Sequence, residues 1–310
     1  MRLFVLKRKE YNVRILLTGA TGHLGAYLLR EVVHQRLPIA AWSGSTPCSA
    51  WSVPVTPVDL TDEQATAACF QVWQPDVVIH AAALSAIADC HRNPERAYAL
   101  NVDATLRLVQ WATRVGSRLL YVSTDLVFDG QKGNYTEADH PNPLSHYART
   151  KLQAEPLVLA YAKGVVVRVS WLLGPKLLGG VRFFDQLHQQ LRHGQPMGLF
   201  FDEWRSPLGL PQAARCLLKL AMQPELTGLW HLGGPERLSR YEMGVRLAQW
   251  LGVDKALIRA EKREQHPAPE PRPADVSLDS SRFRKTFPDI PWPDYEASLA
   301  ELFSLADRPS

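Results

Sequence analysis

The sequence predicts an α/β protein in which a doubly wound parallel sheet is followed by a smaller C-terminal lobe. Short β-branched apolar runs, such as residues 13–17 and 164–169, are typical of parallel strands that are buried on both faces. Longer stretches with helical spacing of apolar residues alternate with these runs, as they do where helices cover both faces of a sheet. The first run leads directly into a glycine-rich stretch, residues 18–25, and a helical pattern follows it.

The bulk composition excludes several classes of protein. An apolar content of 46% and a charged content of 21% are typical of a soluble globular chain. The net charge of +4 is spread along the chain without a basic block, so we expect no nucleic-acid partner. No apolar run approaches the roughly 20 residues that a membrane span needs, so we expect no membrane partner either.

The four cysteines are scattered, and none forms a Cys-x-x-Cys pair. This usage indicates reduced thiols in a cytoplasmic protein and gives no reason to expect a metal. The segment 2–9 is too short and too mixed in character for a secretion signal. A homodimer is compatible with the sequence.

The glycine-rich stretch carries a mechanism for binding a dinucleotide. Gly19 and Gly22 let the backbone turn tightly and approach a pyrophosphate, and Gly25 lets the following helix pack closely on the strand. The N-terminus of that helix then presents N–H groups and the positive end of its dipole to the phosphates. The cofactor contacts predicted in this stretch are Gly19, Thr21, Gly22, His23, Leu24 and Gly25.

These features predict a Rossmann-type domain over residues 13–170 and a mainly substrate-binding lobe over residues 171–310, interleaved with the first domain. Residues 1–12 are predicted to form an extension before the first strand.

The second strand, predicted at residues 38–42, ends beside the place of the adenosine ribose. Ser43 and Ser45 follow it, and no acidic residue is present there to accept a bond from a ribose 2′-hydroxyl. Small hydroxyls leave room for a 2′-phosphate, so NADP is favoured and NAD is the alternative. Asp59, next to Leu60, is predicted to bind the adenine amino group or to cap the helix that follows, and the two roles are compatible.

The remaining elements follow the same periodicities. Residues 46–57 are rich in Pro and Ser and are predicted to be a surface loop. Helices are predicted at 62–73, 94–115, 181–193, 211–222, 239–251 and 294–306, and strands near 75–80, 118–122, 196–201 and 229–232. Asn101 lies within an apolar helical stripe and is expected to need buried partners. We expect His80 to be a core histidine rather than a catalytic base.

Two groups of residues point to proton transfer beside a nicotinamide. Thr124 and Asp125 follow the strand predicted at 118–122, and the carboxyl ends of parallel strands face the ligand crevice. Tyr147 and Lys151 stand one helical turn apart, so the ammonium is expected to lower the pKa of the phenol and make it a proton donor. The small residues Ala81, Ala82 and Ala83 would let a nicotinamide nucleotide lie against a strand end.

The sequence is similar to the extended short-chain dehydrogenase/reductase superfamily from about residue 13 to about residue 305. Within it, the chain resembles the dTDP-4-dehydrorhamnose reductase family. The stretches that carry the resemblance are residues 18–25, 75–83, 93–95 with 101–102, 123–130, 133–137, 141–144, Tyr147, 150–155, 168–174 and 272–273 with 278–279.

The resemblance implies a reduction of a sugar ketone with hydride from NADPH. Tyr147 would donate the proton to the C4 oxygen, and Lys151 would lower the pKa of Tyr147 and hold the nicotinamide ribose. Thr124 would bond the reacting oxygen, Asp125 would order the site or the nicotinamide, and Trp171 would line the sugar pocket.

The diphosphate of such a substrate suggests arginine contacts. Arg272 lies in the Pro-rich stretch 262–275, which is predicted to be a surface loop or, in the sharper interpretation, to bring this guanidinium to the phosphates. Arg205 and Arg182 are weaker candidates for the same contact.

The sequence departs from the reductases where Glu203, Arg205 and Leu208 stand in place of glutamine, glycine and threonine. The arginine-containing loop and the run 228–234 are similar to a second branch, the regulatory β subunit of methionine adenosyltransferase, which binds NADP. A nucleotide-sugar epimerase or dehydratase is the third alternative. The absence of a glutamate directly after Asp125 argues against the dehydratase.

Overall fold

The computed structural model describes residues 13–44 and 47–306. The extension predicted at 1–12 and the predicted cofactor residue Ser45 therefore lie outside the described residues. Fourteen strands are found within the described part: β1 Ile15–Thr18, β2 Ile39–Ser43, β3 Cys48–Ala50, β4 Val53–Pro57, β5 Val77–His80, β6 Arg118–Thr124, β7 Gly164–Val169, β8 Leu172–Leu173, β9 Met197–Phe200, β10 Trp204–Arg205, β11 Leu208–Gly209, β12 Gly228–Leu232, β13 Leu238–Ser239 and β14 Ile258–Glu261.

The helices of the same described part cover both faces of the sheet. They are α1 His23–His34, α2 Glu63–Trp73, α3 Ile87–Arg92, α4 Pro94–Tyr98, α5 Ala104–Val115, α6 His146–Leu159, α7 Phe183–Arg192, α8 Leu210–Ala221, α9 Arg240–Trp250, α10 Ser281–Thr286 and α11 Tyr295–Ala306. Among them is no helix long and apolar enough to cross a membrane.

A single eight-stranded sheet, in the order β12-β7-β6-β5-β1-β2-β4-β3, positions the site. All neighbours in it are parallel except β3, which is antiparallel to β4. Strand β1 pairs with β2 on one side and with β5 on the other, so the strand order reverses there. In doubly wound sheets ligands bind at such a reversal, beyond the carboxyl ends of the strands.

The central strands form because their residues are apolar on both faces. Every residue of β1, β5, β6 and β7 is buried, which is the burial pattern expected of parallel strands between two helical layers. Strand β12 comes from the C-terminal half and completes the sheet beside β7. Helix α8 packs against α1, so the two halves of the chain are interleaved around one core.

The prediction of a surface loop at residues 46–57 is wrong. This segment contains β3 and β4, joined through Trp51 and Ser52, whose φ angles of 48° and 63° place both in the left-handed region. Two consecutive left-handed residues are typical of a tight hairpin turn. Val55 is 2% exposed and anchors the hairpin, but the two prolines of β4 hide the strand pattern in the sequence because proline is rare inside sheets.

The helix predicted at 94–115 is present as α4 and α5, joined by one π-helical segment, Ala99–Asp103. Asn101 lies in this segment and is 1% exposed. Its Oδ1 accepts from the Leu84 backbone N–H at 2.9 Å, and its Nδ2 donates to the Leu84 carbonyl at 3.1 Å and to Thr150 Oγ1 at 2.9 Å. The prediction of buried partners is confirmed, and these bonds tie the segment after β5 to helix α6.

Candidate functional site

A cavity of about 780 Å³ extends along the carboxyl ends of β1, β2 and β5. The described residues predicted to bind the cofactor all line it: Gly19, Thr21, Gly22, His23, Leu24, Gly25, Ser43, Asp59, Leu60, Ala81, Ala82, Ala83, Tyr147 and Lys151. Arg96 also lines this cavity, and the sequence analysis did not find it. A basic residue on a helix surface carries no spacing signal, so only the fold reveals it.

The glycine turn has the close approach that its sequence predicts. Gly19 has a φ of 72°, and a Cβ added there would lie 2.7 Å from the Ala82 backbone nitrogen. A Cβ on Gly25 would collide with the Gly19 carbonyl oxygen. Gly22 immediately precedes α1 and offers no side-chain cap, so the helix N-terminus can serve an anion.

Asp59 and His23 have partners that fix their positions. Asp59 Oδ1 accepts from the backbone N–H and the hydroxyl of Thr61 at 2.9 and 2.7 Å, and these bonds lower the pKa of its carboxyl. Helix α2 is capped by Asp62 instead. His23 Nε2 lies 2.9 Å from the Gly174 carbonyl oxygen, which links the glycine turn to the segment after β8.

Strand β6 ends at Thr124, so Thr124 and the next residue, Asp125, lie at the crevice. Thr124 Oγ1 donates to Asp125 Oδ1 at 3.2 Å, and Ser170 Oγ donates to Asp125 Oδ2 at 3.0 Å. Burial raises the pKa of Asp125 to about 6, while the Arg205 guanidinium at 3.9 Å opposes that rise. The carboxylate therefore sits between two hydroxyl donors and one cation, directly beside the residue expected to bond the reacting oxygen.

Helix α6 places Tyr147 and Lys151 on one face. Ser145 caps the helix, its Oγ accepting from the Ala148 backbone N–H at 3.2 Å. Lys151 is 2% exposed, and its ammonium lies 3.9 Å from the centroid of the Tyr121 ring. Burial lowers the pKa of Lys151 to about 7. The Lys151 amine is therefore only partly protonated near neutral pH.

The prediction of a lowered pKa for Tyr147 is wrong for the chain alone. Burial raises the pKa of Tyr147 well above its usual value, and the negative charge of Asp125 raises it further. A hydrogen bond with Thr124 acts in the opposite direction but does not offset these causes. Tyr147 therefore keeps its proton at neutral pH, which is the state that a proton donor requires.

A buried ion cluster occupies the positions where the sequence departs from the reductases. Glu203 is 1% exposed, and its Oε1 accepts from Arg205 at 2.8 Å and from Arg240 at 2.8 Å. Arg240 lies over the Trp171 ring, with its guanidinium carbon 4.3 Å from the ring centroid. Arg240 was not predicted, because it lies far from Glu203 in sequence and belongs to no motif.

A second cavity, of about 550 Å³, adjoins the first. The predicted substrate residues line it together with the ion cluster: Trp171, Arg205, Arg272, Thr124, Asp125, Tyr147, Arg182, Glu203 and Arg240. Thr124, Tyr147 and Ser170 line both cavities, so the two cavities meet at these side chains. His23, Ser85, Leu172 and Arg182 line both cavities as well, so the predicted proton donor is one part of a wider junction.

His80 is a core histidine, as predicted. It is fully buried between Thr18 Oγ1 at 2.7 Å and Thr105 Oγ1 at 3.0 Å, and burial lowers its pKa to about 3. A histidine that stays neutral and has both ring nitrogens bonded supports the fold and does not exchange protons with a ligand.

The reversed strand order, the glycine turn and the cavity beyond the strand ends define a Rossmann-type nucleotide-binding α/β protein. Residues 13–307 match the family model described as the RmlD substrate binding domain, and the chain belongs to this family, within the extended short-chain dehydrogenase/reductases.

Two curated relatives point to different activities. Methionine adenosyltransferase 2 subunit beta of Xenopus tropicalis is 32% identical over 88% of this chain and 82% of the relative. A dTDP-4-dehydrorhamnose reductase of Aggregatibacter actinomycetemcomitans is 27% identical over 95% of this chain and 99% of the relative. A crystal structure of a dTDP-4-dehydrorhamnose reductase from Clostridium acetobutylicum superposes with a TM-score of 0.83 at 26% identity, covering 96% of this chain and 100% of the other.

Proposed function

We propose that the protein is an NADPH-dependent reductase of a nucleotide-activated 4-keto sugar, with dTDP-4-dehydrorhamnose, the precursor of dTDP-L-rhamnose, as the first substrate to test. The observation that carries this proposal is the position of Thr124 and Tyr147 at the junction of the two cavities. A reductase must bring a nicotinamide and a ketone together at a proton donor, and this junction provides such a place.

The first cavity suits a dinucleotide. The glycine turn and the N-terminus of α1 would hold the pyrophosphate, Asp59 would face the adenine, and Ala81 to Ala83 would leave space for the nicotinamide half. Ser43 lies at the end of β2, where an acid would select NAD, and Arg96 supplies a positive charge on the same cavity wall. Both features favour NADP. The bound nicotinamide would supply the hydride.

The side chains at the junction supply the proton and orient the ketone. As hydride adds to the carbonyl carbon, the carbonyl oxygen gains charge, and Tyr147 transfers its phenolic proton to that oxygen to give a secondary alcohol. Thr124 Oγ1 would bond the same oxygen and hold it beside the phenol. Lys151, with a pKa near 7, would stabilise the phenolate electrostatically and help return a proton to it.

The second cavity suits an anionic substrate. Arg182, Arg240 and Arg272 reach it from three different segments, and guanidinium groups bind phosphate oxygens in a fork geometry. Trp171 offers an apolar wall against which a sugar ring can pack. A nucleoside diphosphate sugar has both the charge and the ring that these groups recognise.

A regulatory subunit is the second candidate. It is favoured by the 32% identity to a methionine adenosyltransferase subunit and by the Glu203–Arg205–Arg240 cluster, which replaces the pattern of the reductases. A protein of this kind would bind NADP without reducing a sugar. A nucleotide-sugar epimerase is the third candidate and shares the same proton donor.

An absorbance assay separates these candidates. The purified protein is mixed with NADPH and, in turn, dTDP-4-dehydrorhamnose and other 4-keto sugar nucleotides, and oxidation is followed at 340 nm. The reductase proposal predicts substrate-dependent loss of NADPH with one alcohol formed per cofactor oxidised. Tight NADPH binding without turnover on any such substrate would instead support the regulatory subunit. Interconversion of sugar epimers without net cofactor oxidation would support the epimerase.

A further inference from the structure

We propose that His91, His146 and Glu270 form a site for a borderline transition-metal ion such as Zn²⁺ at the mouth of the second cavity. One ligand atom from each residue lies within 4.8 Å of the other two. The three side chains come from α3, from the first residue of α6 and from the segment 266–273, which we call the rim loop. This site is independent of the proposed reductase activity.

The carboxylate of Glu270 is only half used by the protein. Its Oε1 accepts from the His146 backbone N–H at 2.7 Å and from Arg149 at 3.2 Å. Its Oε2 is buried and has no hydrogen-bond partner among the described residues. The whole Glu270 side chain is only 5% exposed. Buried carboxylate oxygens are costly without a partner, so a cation held by this carboxylate would offset a cost that the protein alone leaves.

The two imidazoles lie beside the other oxygen, Oε1, of the same carboxylate. His91 Nδ1 lies 3.8 Å and His146 Nε2 lies 4.0 Å from Glu270 Oε1, and the two ring centroids are 5.9 Å apart. Metal–ligand bonds of about 2.0–2.2 Å require ligand atoms to be roughly 3–3.5 Å apart. Both imidazoles have side chains about two-fifths exposed, so modest ring rotations can close the difference.

The donor set decides the class of metal. Two imidazoles and one carboxylate suit Zn²⁺, Ni²⁺ or Co²⁺, whereas Mg²⁺ and Ca²⁺ prefer oxygen ligands alone. The Arg149 guanidinium on Oε1 competes for the carboxylate charge and weakens binding. We therefore expect a micromolar rather than a tight structural site.

Such an ion would act on the pocket rim. Glu270 is flanked by Pro269, Pro271 and Arg272, which all line the second cavity. A metal bond from Glu270 to helices α3 and α6 would fix this part of the rim loop and thereby fix Arg272 at the cavity mouth. The three ligands are separated by more than 50 residues at each step, so no sequence spacing could predict the site, and the sequence analysis expected none.

Calorimetric titration of untagged, chelator-treated protein with ZnCl₂ tests the proposal, with MgCl₂ as the hard-cation comparison. The expected result is one equivalent of Zn²⁺ bound, with affinity lowered at least tenfold in both H91A and H146A and no comparable Mg²⁺ binding. Glu270→Gln keeps an oxygen for the α6 backbone and is also expected to lose Zn²⁺ affinity. The double variant H34A/H140A, at two exposed histidines, is the matched control and should bind Zn²⁺ with the wild-type affinity.

Arg149→Gln provides an independent check, because it removes the cation that competes for Oε1. Its Zn²⁺ affinity should rise several-fold. Absence of Zn²⁺ binding in the wild type, or equal binding in the wild type and both histidine variants, would overturn the proposal. A weaker affinity in R149Q would also contradict it.

Discussion

Lys151 shows how a buried side chain of the candidate site opposes stability. Its burial lowers the pKa from the usual 10.5 to about 7, so the folded chain holds the lysine proton less strongly than the unfolded chain does. Between about pH 7 and 10.5 the unfolded state binds more protons, and the free energy of unfolding from this group rises with pH. At neutral pH the buried ammonium therefore destabilises the protein.

Lys151→Met should relieve this cost, because methionine keeps an unbranched stem and removes the ammonium. The variant is expected to melt a few degrees higher at pH 7 without added nucleotide, and to lose most of the rise in stability between pH 7 and 10. Thermal denaturation followed by circular dichroism measures both effects. Lys219→Met, at an exposed helix position, is the control and should leave the curve unchanged. A lower melting temperature for K151M at every pH would contradict the electrostatic interpretation.

Asp125 is expected to set the upper end of the pH range in which Tyr147 stays protonated. The carboxylate raises the pKa of Tyr147 by its negative charge, in addition to the larger effect of burial. Asp125→Asn removes that charge, so the basic limb of a kcat–pH profile should shift to lower pH. Asp76→Asn, half exposed and paired with Arg14, should not shift it. An unchanged basic limb in D125N would show that the carboxylate does not influence the proton donor.

The π-helical segment between α4 and α5 shows how one secondary-structure element holds two parts of the site together. Asn101 uses both of its amide heteroatoms to hold Leu84 and Thr150, and so joins the segment after β5 to the helix that carries Tyr147. The sequence alone could indicate that this amide needs partners. It could not identify them, since they lie 17 and 49 residues away.

Asn101→Ala removes three hydrogen bonds, two to the half-buried Leu84 backbone and one to the buried Thr150 hydroxyl, and should cost about 2–4 kcal/mol in the free energy of unfolding. Urea denaturation measures this loss. Asn142→Ala removes an exposed amide that bonds Asp129 at 3.0 Å and should change the free energy by less than about 0.5 kcal/mol. Equal effects of the two substitutions would mean that the buried amide does not support α6.

Across the molecule, periodic patterns predicted the sheet, the helices and the glycine turn, because local residue choice and burial agree in those elements. The β3–β4 hairpin was missed because prolines mask its alternation. Arg96, Arg240 and the three proposed metal ligands were missed because long-range packing alone brings them to their places. The direction of the Tyr147 pKa shift was predicted wrongly because burial and the charge of Asp125, which the sequence does not show around the phenol, both raise that pKa. The domain boundary at residue 170, the cytoplasmic location and the homodimer stay predictions.

The proton donor is the central claim, and Tyr147→Phe tests it most directly. The variant keeps the ring and removes only the hydroxyl, so NADPH affinity, measured by fluorescence titration, should stay within about twofold of the wild type. Turnover of the 4-keto sugar nucleotide identified by the absorbance assay should fall by about 10²–10⁴-fold, the usual contribution of a positioned general acid. Turnover near the wild-type rate, with NADPH affinity intact, would contradict the assignment of Tyr147 as the proton donor.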